Sequence, residues 1–196
     1  MAFFHTEFQA AYQTQFAPSH PFWALYRTVW FGTAEAAIHD ARLDSITLAM
    51  FEQASAQKVR AALIPVAAVC YRHARADLIG PWSEFVYRMG KWHQMLNDTF
   101  DWHKDIGNGN MTYFLSEAQR NKCLAETPAE WIVRTGFRTG CDTLRSLMRE
   151  AQQHAATLNC QPLAGYLTER STQFERRAHD TLAGFDALAK LAAAFK

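Results

Sequence analysis

No C-x-x-C pair occurs in the chain. The four cysteines, Cys70, Cys123, Cys141 and Cys160, are widely spaced, which argues against a zinc ribbon or a redox motif. Cys70 lies in an apolar run and reads as a buried thiol rather than half of a bridge, so a reduced, cytoplasmic protein is the default expectation. Net charge is nearly absent as well. The formal value is +1, which leaves no global field to draw the protein onto nucleic acid or an acidic membrane. The longest apolar stretch, "AALIPVAAVCY" from Ala61 to Tyr71, is too short to span a bilayer and carries a proline. "MAFFHTEFQAAYQ" shows neither a basic n-region nor a long apolar core, so no signal peptide is read there. Runs of alternating β-branched residues between tight turns are missing. So are G-x-S-x-G, Walker and G-x-G-x-x-G elements.

What is present suits a sizeable helical core. The chain has 196 residues, 49% of them hydrophobic and 20% charged, an ordinary globular balance. Aromatics reach 13%, enough for a large core or an aromatic-lined cavity. The apolar periodicity predicts helices at about 6–16, 22–45, 48–74, 81–106, 113–124, 128–157 and 162–195. Breaks are expected at Pro18–Pro21, near Gly80–Pro81, at "GNGN" from Gly107, at Thr127–Pro128 and at Pro162. Thr127 can N-cap a helix with Pro128 at its first position and Glu130 in its first turn. Pro65 should kink the third helix. A single all-α domain over residues 1–196 is the expected architecture.

The helix from Pro81 to Ile106 carries the densest chemistry. Asn97, Asp101 and Asp105 are spaced i, i+4, i+8, so they stack along one side, with Asp98 flanking the row. Acids at i, i+4 repel by a few tenths of a kcal/mol per pair on an exposed helix. A divalent cation offsets that, and hard oxygen donors suit Mg²⁺ or Mn²⁺. The bland reading is a solvated face whose acids pair with Lys91, His103 and Lys104. Two details favour the metal: the amide of Asn97 in line with the acids, and acids near a helix C-terminus, where the helix dipole disfavours them.

"NDTFDWHKD" resembles the second metal-binding motif of class I terpene synthases, an N-D-x-x-S-x-x-K-E pattern. Asn97, Asp98 and Lys104 match it; Asp101 stands at the serine and Asp105 replaces the glutamate. "NDTFD" also resembles the second D-D-x-x-D motif of trans-polyprenyl diphosphate synthases, except at its first residue. "HQMLND" resembles the F-Q-x-x-D-D lead-in of that branch, with Gln94 one turn earlier. "GNMTYFL" resembles the glycine–threonine segment that follows the motif. "FEQASAQKVRAAL" resembles the helix carrying a diphosphate-binding lysine, here Lys58, with Val59 where a threonine usually follows. The resemblance to isoprenoid synthases covers roughly Phe22 to Leu115. It implies an all-α, isoprenoid-synthase-type helical bundle acting as a terpene synthase (a lyase) or prenyltransferase. Asn97, Asp98, Asp101 and Asp105 would bind Mg²⁺ or Mn²⁺, while Lys104, Lys58 and Gln94 would contact the diphosphate of an isoprenyl substrate. Metal-triggered departure of diphosphate would leave an allylic cation.

The family's first aspartate-rich motif has no counterpart before Lys58. Asp40 and Asp44 in "HDARLD" are i, i+4 but lie too close to the lysine helix to match, and a surface face is the preferred reading. The expectation is an N-terminally truncated domain of low intrinsic turnover. The alternative is a non-catalytic helical subunit or remnant working through a partner chain, with an exposed apolar groove favouring homo- or hetero-oligomers. "YLTERSTQF" from Tyr166 has the residue types of a C-terminal Arg-Tyr pair without their adjacency. Arg134, Arg138, Arg145 and Arg149 read as a solvated face before a diphosphate contact. Glu150/His154 and Glu175/His179 lack the E-x-x-H spacing of di-iron bundles. Trp92, Phe100 and Trp102 could shield a cation or simply pack in the core. Neither nucleic acid nor stable membrane insertion is expected.

Overall fold

Local signals start and stop most of the helices. In the computed structural model, which describes residues 2–39 and 44–194, they are α1 (Ala2–Gln13), α2 (Phe22–His39), α3 (Leu48–Lys58), α4 (Leu63–Arg72), α5 (Ile79–Phe100), α6 (Trp102–Asn108), α7 (Tyr113–Asn121), α8 (Pro128–Trp131), α9 (Phe137–Thr157) and α10 (Gln161–Ala194). Short 3-10 turns precede α4 and α5, and a π-helical segment, Ile132–Gly136, joins α8 to α9. No strand occurs among the described residues, so the fold is all-α. No helix among them is long and apolar enough to cross a membrane.

Thr127 accepts from the Glu130 backbone N–H while the Glu130 carboxylate takes the Thr127 N–H, closing a capping box with Pro128 in the first turn. Such a cap is worth about 1 kcal/mol. At the other kind of terminus, Gly109 adopts φ 67°, the left-handed conformation that stops α6. Several expected boundaries shift: α1 spans Ala2–Gln13, and α2 spans Phe22–His39 instead of running to 45. The helix expected at 48–74 is two helices: α3 ends at Lys58, and Pro65 sits in the first turn of α4 rather than at a mid-helix kink. Gly80 and Pro81 lie inside the first turn of α5, not at a break. Proline is tolerated in both first turns because the N–H it lacks has no intrahelical acceptor there. The helix expected at 81–106 is interrupted at Asp101, whose φ of −104° and ψ of 9° leave the helical range.

Two apolar clusters fill the bundle. The larger joins α5, α7, α9 and α10 through Trp92, Phe100, Phe114, Phe137, Leu144, Leu167 and Phe174. Full burial of an aliphatic or aromatic side chain stabilises by about 1.5–3 kcal/mol. Trp92 and Phe100 therefore pack in the core, and Arg177 lies over the Phe100 ring at 4.1 Å. The smaller cluster gathers Phe16, Phe22, Trp23, Tyr26 and Val29 around Leu63 and Ile64 of α4. Cys70 and Cys141 are buried free thiols; burial pushes the Cys141 thiol up to about 11.

Candidate functional site

Helix α3 crosses α5 closely and is fastened to it. Lys91 of α5 reaches Glu52 of α3 at 3.3 Å. Arg60, just past α3, donates to the Tyr87 hydroxyl at 3.0 Å. Val59 meets α5 at Gly90, where no Cβ stands in its way. Thr47 caps the start of α3 by accepting from the Met50 N–H. These ties fix two walls of a cleft of about 720 Å³.

One wall is the C-terminal half of α5 with the bend into α6. Gln94, Asn97, Asp98, Asp101 and Asp105 all line the cleft from this side. The bend keeps them together: Asp101 N–H still bonds the Asn97 carbonyl at 2.8 Å, and Asp105 N–H the Asp101 carbonyl at 3.1 Å. Asp98 is 3% exposed, and its Oδ1 accepts from Gln94 Nε2 at 2.7 Å. Asp101 accepts from Lys104 at 2.9 Å, and Asp105 from the Asn110 amide at 3.3 Å. The other wall is α3, with Phe51, Ser55 and Lys58, preceded by Asp44 and Ile46. Residues 109–113 close one end. Thr112 caps α7 there, and Tyr113 stacks on Phe51 at 5.0 Å. Burial raises the Tyr113 phenol above its usual value, with Glu117 adding to the effect.

Lys58, Gln94, Asn97, Asp98, Asp101 and Asp105, expected from the sequence, thus share one cleft. Lys104 does not line it; its ammonium stands outside, largely exposed, on Asp101. Asp44 lines the cleft, although a surface face was the preferred reading of its sequence; Asp40 lies outside the described residues. Ser55 and Tyr113 carried no sequence signal of their own. The arginines expected on a solvated face are elsewhere and engaged: Arg134 with Glu126, Arg138 with Asp186, and Arg145 with Glu175. His154 contacts the Pro81 carbonyl at 2.8 Å, and Glu150 lies 3.5 Å from Arg88.

The lining offers hard oxygen donors in number, which fits a divalent cation such as Mg²⁺. Among the described residues no three His, Cys, Asp or Glu side chains form a ready-made metal cage. A cation here would need further oxygens from a ligand. The molecule is therefore an all-α bundle with an acid-lined cleft carrying one lysine in its wall. No protein-family model, curated protein or solved structure matches the chain.

Proposed function

We propose that the cleft binds an isoprenyl diphosphate together with Mg²⁺, as in class I terpene or prenyl synthases. One observation carries the reading: the metal residues suggested by "NDTFDWHKD" and the diphosphate lysine suggested on α3, Lys58, distant in sequence, line the same cleft. Asn97, Asp98, Asp101 and Asp105 would hold the metal, with Mn²⁺ as the substitute, and phosphate oxygens would complete its shell. Bound Mg²⁺ would neutralise the diphosphate and ease its departure. Lys58 supplies a positive charge to the phosphates from the facing wall. Gln94 fixes the Asp98 carboxylate. Lys104 holds Asp101 from outside and tempers the repulsion among the acids.

Mg²⁺ with inorganic diphosphate should raise the melting temperature, and either alone should do little, because native-state binding stabilises by mass action. The Asp101→Asn/Asp105→Asn double variant should lose that rise. Equal stabilisation of the variant in a thermal melt would put the binding site elsewhere. With geranyl, farnesyl or geranylgeranyl diphosphate, release of diphosphate should stay well below about 1 s⁻¹, since the cleft opens to water and each missing electrostatic contact costs about 3–4 kcal/mol. A second reading, action through a partner chain, is favoured by Leu188 and Leu191, 62% and 56% exposed near the end of α10.

A further inference from the structure

The carboxylates of α5 and α6 approach the cleft from one side. The facing wall holds one further carboxylate, Asp44, and a buried hydroxyl, Ser55. We infer that these two residues form the second half of the binding site, Asp44 as a ligand to the divalent cation and Ser55 as a donor to a phosphate oxygen. The inference rests on the proposed diphosphate–metal reading and adds the groups that grip the complex from the α3 side.

Asp44 is exposed, yet the backbone just after it is anchored. Ile46 N–H donates to the buried Ser116 Oγ of α7 at 2.8 Å. Arg120 of α7 donates to the Ile46 carbonyl at 3.0 Å and to the Ser45 hydroxyl at 3.2 Å. Thr47 then starts α3. Residues 45 to 47 are thus bonded to α7 on one side and to the first turn of α3 on the other, which holds Asp44 at the mouth of the cleft. The independent observation is Ser55. It is 1% exposed, lines the cleft, and its Oγ has no hydrogen-bond partner among the described residues. Buried hydroxyls are nearly always satisfied, so an orphan at a cleft wall points to a ligand atom. Ser55 lies three residues before Lys58 on α3, so both side chains project from one helix face. A serine hydroxyl and a lysine on one face suit phosphate oxygens; a carboxylate suits the cation that bridges them.

The test is calorimetric titration of inorganic diphosphate with Mg²⁺ into the full chain and its Asp44→Asn, Ser55→Ala and Asp101→Asn/Asp105→Asn variants, with ligand-free melts as a check on folding. Asp44→Asn should weaken binding by about tenfold or more and raise the Mg²⁺ concentration needed for half-saturation. Ser55→Ala should weaken diphosphate binding about three- to tenfold with the Mg²⁺ requirement unchanged. Arg120→Ala keeps both side chains in the sequence but removes the bonds to Ser45 and Ile46, so it should weaken binding by freeing the Asp44 segment; wild-type affinity there overturns the anchoring of Asp44. Wild-type affinity in the Asp44→Asn or the Ser55→Ala variant overturns the role given to that residue. If both retain it while the double variant loses binding, the second half of the site is refuted and the proposed function stands. If the unmodified chain does not bind the pair, both fall.

Discussion

Two charged regions of this molecule are built on opposite plans. Along α9 and its approach, arginines meet acids from neighbouring elements: Arg134 takes both oxygens of Glu126, and Arg145 both oxygens of Glu175. In the cleft between α3 and α5, four carboxylates share the lining with one lysine. The first region is neutralised within the chain and needs nothing from outside. The second keeps an excess of negative oxygens facing a common space. Charge of one sign, gathered on walls that are tied together, is what a cation-bridged anion could satisfy. Charge that is already paired is surface structure.

The largest effect that would sharpen this contrast comes from Gly90→Ala. A Cβ there would collide with the branched carbons of Val59, and a β-branched side chain has little freedom to swing aside. Chemical denaturation should show a loss of about 1–3 kcal/mol. The end of α3 should also move away from α5, taking Lys58 with it, so Mg²⁺–diphosphate affinity should fall too. Unchanged affinity would mean that the α3 wall is not part of the site.

Arg145→Ala probes the paired region and should do less. Its side chain is 41% exposed and that of Glu175 45%, so solvent screening limits the loss to about 1 kcal/mol or below. Ligand affinity should not change. Arg145 holds the Glu175 carboxyl below its ordinary value of 4.5. A depressed carboxyl stabilises the fold above its unfolded value and loses that contribution as pH falls through the folded one. The gap in stability between wild type and variant, followed by denaturation across acid pH, should therefore be widest above 4.5 and close below it. A gap that widens on acidification would contradict the pairing.

His93 gives the smallest effect. It neighbours Gln94 of the cleft, but burial, and then Arg170 of α10, hold its ring below the ordinary 6.5. The unfolded chain accepts a proton there before the folded one does, so acidification from 6.5 downward should lower stability. Melting temperatures at about pH 7.5 and 5.5 should show this drop, smaller in His93→Gln. An equal drop in the variant would assign it to other groups.

The all-α class, the cap at Thr127 and the stop at Gly109 were legible because they are local. Thr127, Pro128 and Glu130 lie within one turn, and Gly109 acts at its own backbone. The break at Asp101 was not legible, since the apolar and acidic periods run straight through it. Tertiary contacts accompany the bend: Phe100 packs edge-on against Phe137 and Phe174, while Trp102 covers the core from the far side of the break. Most of the cleft residues were legible as types in a pattern, at Lys58, Gln94, Asn97, Asp98, Asp101 and Asp105. That they would share one space depends on α3 meeting α5. Asp44 was visible as a candidate but read as a surface acid, because the residues that pin its segment, Ser116 and Arg120, are some seventy positions away along the chain.

The bend at Asp101 divides the acid row between two kinds of support. Asp98 is on α5, whose inner face is deep in the core. Asp105 is on α6, which has seven residues and none of them buried. So short and shallow a segment belongs to the least protected tier of the structure, opening locally at little free-energy cost. Part of the binding enthalpy gained at Asp105 would be offset by the entropy lost in stilling α6. The same looseness would shorten the residence time of a ligand bound through Asp105.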